Sequence, residues 1–188
     1  MEKIDERRLL RYQMQSAAKH ILPGNRVGMC LLTQREKHGS VEVWRHRKTS
    51  KAFYGGLMVC GQVWICPVCA SKISERRRAE LKKASTAYRE SGGHLSMLTL
   101  TFSHSISDRL KDLLDSLVQA SAKFRRGNLY DQLRKELVLV GSIRAFEITY
   151  GENGWHPHVH ILNFHEREIE PFEYRDYEER FYRLWSKA

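Results

Sequence analysis

Residues 146–164 read FEITYGENGWHPHVHILNF, and three of the chain's nine histidines, His156, His158 and His160, sit here at alternate positions. Side chains alternate across a strand, so in extended backbone these three imidazoles share one face. The GENG stretch, Gly151 to Gly154, has the composition of a hairpin turn, and the preceding LVLVGSIRAFEITY is a long β-prone run. Folding at that turn sets Tyr150 opposite Trp155, Thr149 opposite His156 and Glu147 opposite His158. Directly opposed Cβ atoms lie about 4.5–5.5 Å apart, which suits two ligands of one cation. One carboxylate therefore arrives beside the imidazoles, and a one-residue slip would carry it to the other face. Two histidines and a carboxylate leave coordination positions open, as working metals require. The alternative is a half-exposed strand whose imidazoles face water and stack on aromatic neighbours.

Working outward, HLSMLTLTF (94–102) alternates as a second strand. Ser105 with Asp108 three residues on reads as the N-cap of a helix carrying Ile106, Leu110, Leu113, Leu117 and Phe124 at helical spacing. A short helix follows over 129–138, and a last one after Pro171 holds Phe181, Leu184 and Trp185. From Ala70 to about Ser91, Ile73, Leu81, Ala84 and Tyr88 form one helical stripe, and Gly92-Gly93 stops it. Residues 3–19 read as a charged helix, and residues 24–59 as a Gly-punctuated stretch in which VEVWRHR and AFYGGLMV have strand character. The expected fold class is α+β, a mainly antiparallel sheet with helices on at least one face. Composition shifts softly near residue 70. The organisation expected is an N-terminal part, 1–92, with the first helix, a cysteine module and a basic helix, and a second part, 93–188, built around the hairpin.

The four cysteines are Cys30, Cys60, Cys66 and Cys69. Cys66-Pro-Val-Cys69 is a tight knuckle just before a helix, Cys60 lies close before it, and Cys30 can add a fourth thiolate. Four thiolates in tetrahedral array make a closed, structural Zn2+ site. A redox Cys-x2-Cys at a helix N-terminus and plain buried thiols are the competing readings. Using all four cysteines in a basic protein favours zinc.

The formal charge is +10, from 32 Lys and Arg against 22 Asp and Glu. A polyanion is the natural partner. SERRRAELKK (74–83) carries Arg76, Arg77, Arg78 and Lys82, and KFRRG (123–127) adds Arg125 and Arg126; LRK (133–135) follows. Basic helix faces are often simply solvated, and Glu75 with Arg78 is an i,i+3 pair. The excess of cations points instead to phosphate contacts, which tolerate sequence and weaken with salt. No apolar run reaches the roughly 18 residues that span a bilayer, and MEKIDERRLLRYQ is too charged for a secretory signal. A cytoplasmic protein with no membrane partner is expected.

These pieces carry a resemblance. WHPHVHIL resembles the His-hydrophobe-His motif of the HUH endonucleases, and LTLTF followed by His104 resembles the motif that precedes it in their replication initiators. With CGQVWICPVCASKISERRRAEL, residues 28–164 resemble the Rep proteins of rolling-circle plasmids. The resemblance implies an RRM or ferredoxin-like domain with a central antiparallel sheet. It implies Mg2+ or Mn2+ held by His158 and His160, with Glu147 completing the set by the pairing above and His156 as competitor. It implies origin DNA, single-stranded or extruded as a hairpin, as substrate. A tyrosine attacks the scissile phosphate, leaving a 5′-phosphotyrosine link and a free 3′-OH for host replication proteins to extend.

The family's tyrosine lies on a helix well downstream of the histidines. Tyr174, Tyr177 and Tyr182 are the candidates here, and none has Lys three positions on. Tyr177 falls on the apolar stripe with Phe181, Leu184 and Trp185, a packing pattern. The nucleophile is therefore expected beyond residue 188, with the second part C-terminally truncated. An HUH transposase and a noncatalytic zinc-dependent DNA-binding module are the rival readings.

Overall fold

The GENG turn folds as its composition implies. In the computed structural model, which describes residues 6–35 and 39–188, β4 (Leu139–Gly151) and β5 (Gly154–His165) form a hairpin. Its register sets Glu147 opposite His158, Thr149 opposite His156 and Tyr150 opposite Trp155. Gly154 fixes the turn from two directions. Its φ of +85° is left-handed, and a Cβ there would lie 2.8 Å from the Ile106 Cα. Gly154→Ala is therefore expected to cost about 1–3 kcal/mol, read as a lower denaturant midpoint with unchanged slope.

Strand β3 (His94–Leu100) pairs antiparallel with the other edge of β5, giving the order β3-β5-β4. That ladder stops at the Leu100–Val159 pair, short of Pro157, which has no N–H to offer a second neighbour. The odd-numbered residues of β5 turn to the core. Val159 and Ile161 are buried with Leu100 and Phe124 under α3 (Leu110–Phe124) and α5 (Tyr174–Trp185), whose Phe181, Leu184 and Trp185 close over them. Leu133 and Leu137, from α4 (Asn128–Glu136) and the residue after it, cluster with Ile169 and Tyr177. The even-numbered residues, including the three histidines, therefore face the opposite side.

Arg180 ties α5 to α4 through a bidentate pair, Nη1 to Glu136 Oε2 at 2.6 Å and Nη2 to Oε1 at 2.8 Å. The guanidinium holds the Glu136 carboxyl below its ordinary range. A carboxyl depressed by folding stabilises above its unfolded pKa, and that contribution is lost as pH falls through the lower, folded value. The stability difference between the native chain and Glu136→Gln is thus expected to be constant near neutrality and to shrink below pH ~4.5, in urea titrations across pH.

The segment up to Lys82 and the segment from Lys83 are two compact units, the division falling inside α2 (Pro67–Glu90). In the first, α1 spans Glu6–Ile21, and the start of the helix expected over 3–19 lies outside the described residues. A hairpin, β1 (Glu42–Arg45) with β2 (Ala52–Gly55), takes the two segments read as strand-like. The core of this unit is Val27, Cys30, Cys60, Cys66, Val68 and Cys69. Buried Gln15 holds the Cys30 loop to α1, its Nε2 donating to the carbonyls of Val27 at 3.1 Å and Cys30 at 2.6 Å.

One helix start differs from the sequence expectation. Ser105 is not an N-cap: α3 begins at Leu110, with Arg109 in the capping position. The reciprocal bond expected of the pair is present, the Ser105 N–H donating to Asp108 Oδ2 at 2.6 Å. It closes a separate turn, because Arg109 is extended at ψ 131° and breaks that turn from the helix. Ile106 is left 69% exposed instead of joining the helical stripe.

Candidate metal centres

On the open face of the sheet, Glu147 Oε2 lies 3.1 Å from both His158 Nε2 and His160 Nε2. The remaining ring nitrogens are held from behind. His158 Nδ1 faces the His156 carbonyl at 3.2 Å, and His160 Nδ1 faces Thr99 Oγ1 at 2.9 Å. A carbonyl only accepts, so His158 carries its proton on Nδ1, and in the neutral ring Nε2 is a lone pair. That lone pair then confronts a carboxylate oxygen. Two electron-pair donors at this separation call for a cation between them, a proton or a metal ion. A proton on these nitrogens is one such cation: hydrogen bonds donated by His160 and His158 hold the Glu147 carboxyl below its ordinary range. The donor set fits a hard or borderline divalent cation, and side-chain exposure rises from 11% at His158 to 32% at His160 and 54% at Glu147, so one side of the site stays accessible.

His156 is engaged elsewhere. Its Nε2 lies 2.6 Å from Thr101 Oγ1, and its ring stacks on His104 with centroids 4.7 Å apart. Partial burial, reinforced by the His104 and His158 charges, disfavours its protonation. The three donors that cluster are Glu147, His158 and His160. Thr99 and Thr101, which orient the rings, were missed as site residues; the alternation of threonines in LTLTF was the available signal.

Cys30, Cys60, Cys66 and Cys69 form the second cluster, with all four sulfurs within 4.8 Å of one another. Cys69 Sγ lies 3.4 Å from Cys30 Sγ and 3.6 Å from Cys60 Sγ. Zn–S bonds of about 2.3 Å in a tetrahedron put sulfurs about 3.8 Å apart, so this cage is close to the required size. Cys66 accepts the first backbone bond of α2, from the Ala70 N–H at 2.8 Å, and Pro67 opens the helix where no N–H is needed. Burial pushes the Cys30 and Cys66 thiols up. At Cys69 burial also opposes ionisation, but the Gly61 N–H and the other three thiols outweigh it and lower the pKa.

A family model described as replication protein matches residues 57–188. The chain belongs to the replication protein family. The resemblance drawn from its motifs thus holds at the level of the family. The chain is 36% identical over 135 residues to "Protein rep" of Streptomyces lividans, and 34% identical over 132 residues to a protein named "Neomycin resistance protein" in Streptomyces cyanogenus. Each alignment covers 57% of this chain, which spans 29% and 30% of the two relatives' own lengths. No solved structure matches it. The family match takes in Cys60, Cys66 and Cys69 and begins after Cys30, whose place in the cage rests on geometry.

The basic residues of the chain differ in freedom. Arg76 and Arg78 pair along α2 with Glu80 at 3.5 Å and Glu75 at 2.7 Å, exposed pairs that contribute little. Arg77 and Lys82 are exposed on the same helix, with no carboxylate partner among the described residues. Arg126 is likewise exposed, and Arg125 donates Nε to the Ser121 carbonyl at 3.1 Å. No helix among the described residues is long and apolar enough to cross a membrane.

The tyrosines of α5 do not reach the metal face. Tyr177 is buried, its hydroxyl accepts from Arg167 Nη1 at 2.8 Å, and the Arg180 guanidinium lies 5.6 Å from its ring centroid. Tyr174 and Tyr182 are exposed, yet α5 packs on Val159 and Ile161, the side of the sheet opposite His158 and His160.

Proposed function

We propose that this replication protein initiates rolling-circle replication by nicking one DNA strand at a plasmid-type origin, with Mg2+ or Mn2+ held by Glu147, His158 and His160. The observation that carries this reading is the convergence of two Nε2 atoms on one carboxylate oxygen at 3.1 Å, on an open sheet face. The run of elements from β3 to α5 is βα(α)ββα with strand order β3-β5-β4. That order supports the RRM or ferredoxin-like HUH fold, whose first three strands pair in this way.

A bound divalent ion would supply Lewis-acid polarisation of the scissile phosphate. The residues do the rest of the positioning. Thr99 and the His156 carbonyl hold the rings of His160 and His158 so that both Nε2 atoms point at the site. Arg77, Lys82, Arg125 and Arg126, with Arg76 and Arg78, offer cations to the DNA backbone. The attacking hydroxyl, which would form a 5′-phosphotyrosine link and leave a free 3′-OH, is not assigned to Tyr174, Tyr177 or Tyr182. Cys30, Cys60, Cys66 and Cys69 would hold a structural Zn2+.

The test is adduct formation. Full-length protein with single-stranded origin DNA and Mn2+ is expected to give a covalent protein–DNA product that disappears in His158→Ala; an undiminished adduct in that variant would remove the metal assignment. Thr99→Val, which leaves all three ligands in place, is expected to weaken Mn2+ binding about tenfold by titration calorimetry, because the His160 ring loses its rear hydrogen bond.

A further inference from the structure

The β1–β2 hairpin is exposed along its length: every residue from Val41 to Tyr54 faces solvent. Side chains alternate along each strand, and directly paired residues share a face. The register therefore puts Trp44 with Phe53 on one face, and Val43 and Arg45 with Tyr54 and Ala52 on the other. Large apolar groups lie in water on both faces, Trp44 and Phe53 each 54% exposed and Tyr54 65%. A two-stranded ribbon is marginal by itself, and apolar side chains gathered on one mark a surface that a partner covers. A Cβ on Gly55 would lie 2.5 Å from Trp44 Nε1, so the indole leans over the neighbouring strand where glycine leaves room. The tip is ordered and cationic. The Thr49 N–H donates to His46 Nδ1 at 3.2 Å and the Ser50 N–H to the His46 carbonyl at 2.9 Å, which closes the loop. Residues 45–51 read RHRKTSK, and Glu42 at the base is the sole acid between residues 42 and 55. Arg45, Arg47, Lys48 and Lys51 have no carboxylate partner among the described residues.

We infer that this ribbon binds single-stranded DNA, with unpaired bases stacked on Trp44, Phe53 and Tyr54 and backbone phosphates on Arg45, Arg47, Lys48 and Lys51. Four cations in a seven-residue stretch with no acid select a polyanion. Aromatic faces beside such a tip select unpaired bases, because every base has a π-face whatever its sequence. A duplex hides those faces in its own stack. A ribbon that reads a duplex lays hydrogen-bonding side chains along the major groove, whereas Val43, Trp44, Phe53 and Tyr54 offer mostly ring and methyl surface. The grip tolerates sequence and weakens with salt. The ribbon belongs to the unit that ends at Lys82, and Glu147, His158 and His160 to the other, so the inference needs neither the divalent ion nor the nicking reaction.

NMR titration of the zinc-loaded, 15N-labelled chain with oligo(dT) of about ten residues, without Mg2+ or Mn2+, tests this. The chain has four tryptophans, and the Trp44 indole N–H is assigned by its loss in Trp44→Phe. That resonance is expected to shift saturably with oligo(dT). Trp44→Ala is expected to weaken binding about tenfold. Arg47→Ala combined with Lys48→Ala, at exposed tip positions outside both strands, is expected to reduce the slope of log K against log salt by about 1.4. An unshifted Trp44 resonance at saturation, or affinity unchanged in both variants, would overturn the assignment. So would a blunt GC-rich duplex that binds as tightly as oligo(dT) and shifts Trp44 equally. Co-sedimentation with phosphatidylserine vesicles that is lost in Trp44→Ala would give the ribbon to a membrane surface and overturn it as well.

Discussion

Cys69→Ala is expected to unfold the unit that ends at Lys82, a loss of more than about 5 kcal/mol in the zinc-loaded protein. Four of the six buried residues in that unit's core cluster are cysteines, so little apolar surface remains to hold it together. A small core of this kind needs a staple. Structural zinc contributes about 10–16 kcal/mol of apparent binding energy in zinc-finger peptides at neutral pH, and binding there is folding. Without the cation, drawing four thiolates together in a buried cage is unfavourable, and burial already raises Cys30 and Cys66. Elemental analysis should find about one zinc per chain. Chelation should reproduce the Cys69→Ala unfolding by circular dichroism, and added Zn2+ should reverse it. A zinc-free chain that melts like the loaded one would refute the assignment.

His158→Ala is expected to lower the rate of covalent adduct formation by at least about 10^3-fold, roughly 4 kcal/mol of transition-state stabilisation. Of the three clustered donors His158 is the most buried, and its Nδ1 bond to its own strand fixes the direction of Nε2. His160→Ala should approach the same loss. Glu147→Gln removes the only carboxylate among the three donors and should fall in the same range. His156→Ala separates this arrangement from the competing one. With Nε2 committed to Thr101, its loss should cost about tenfold, as for residues that orient ligands. Single-turnover rates at saturating Mn2+ measure all four, and a larger loss in His156→Ala than in His158→Ala would exchange the roles of the two residues.

The hairpin was legible in the sequence because two local rules agree there. GENG fixes a tight turn, and period-two alternation then determines which carboxylate faces which imidazole. The cysteine cluster was legible for a similar reason, since the Cys66–Cys69 knuckle forms the first turn of the helix that Pro67 starts. Other features depend on tertiary position. The Ser105–Asp108 pattern formed its local bond, yet the backbone of Arg109 decided that the helix starts later. Periodicity placed Tyr177 on an apolar stripe of α5, but only the packing of that helix on Val159 and Ile161 puts its tyrosines across the sheet from the metal donors.

Anomalous diffraction at the manganese edge, from crystals of the chain soaked in Mn2+, tests the open-face site most directly. A single peak bonded to His158 Nε2, His160 Nε2 and a Glu147 oxygen at about 2.0–2.2 Å is the expected result. A peak on His156 and His104 with Glu147 unliganded, or no peak on that face of the sheet at saturating Mn2+, would contradict it.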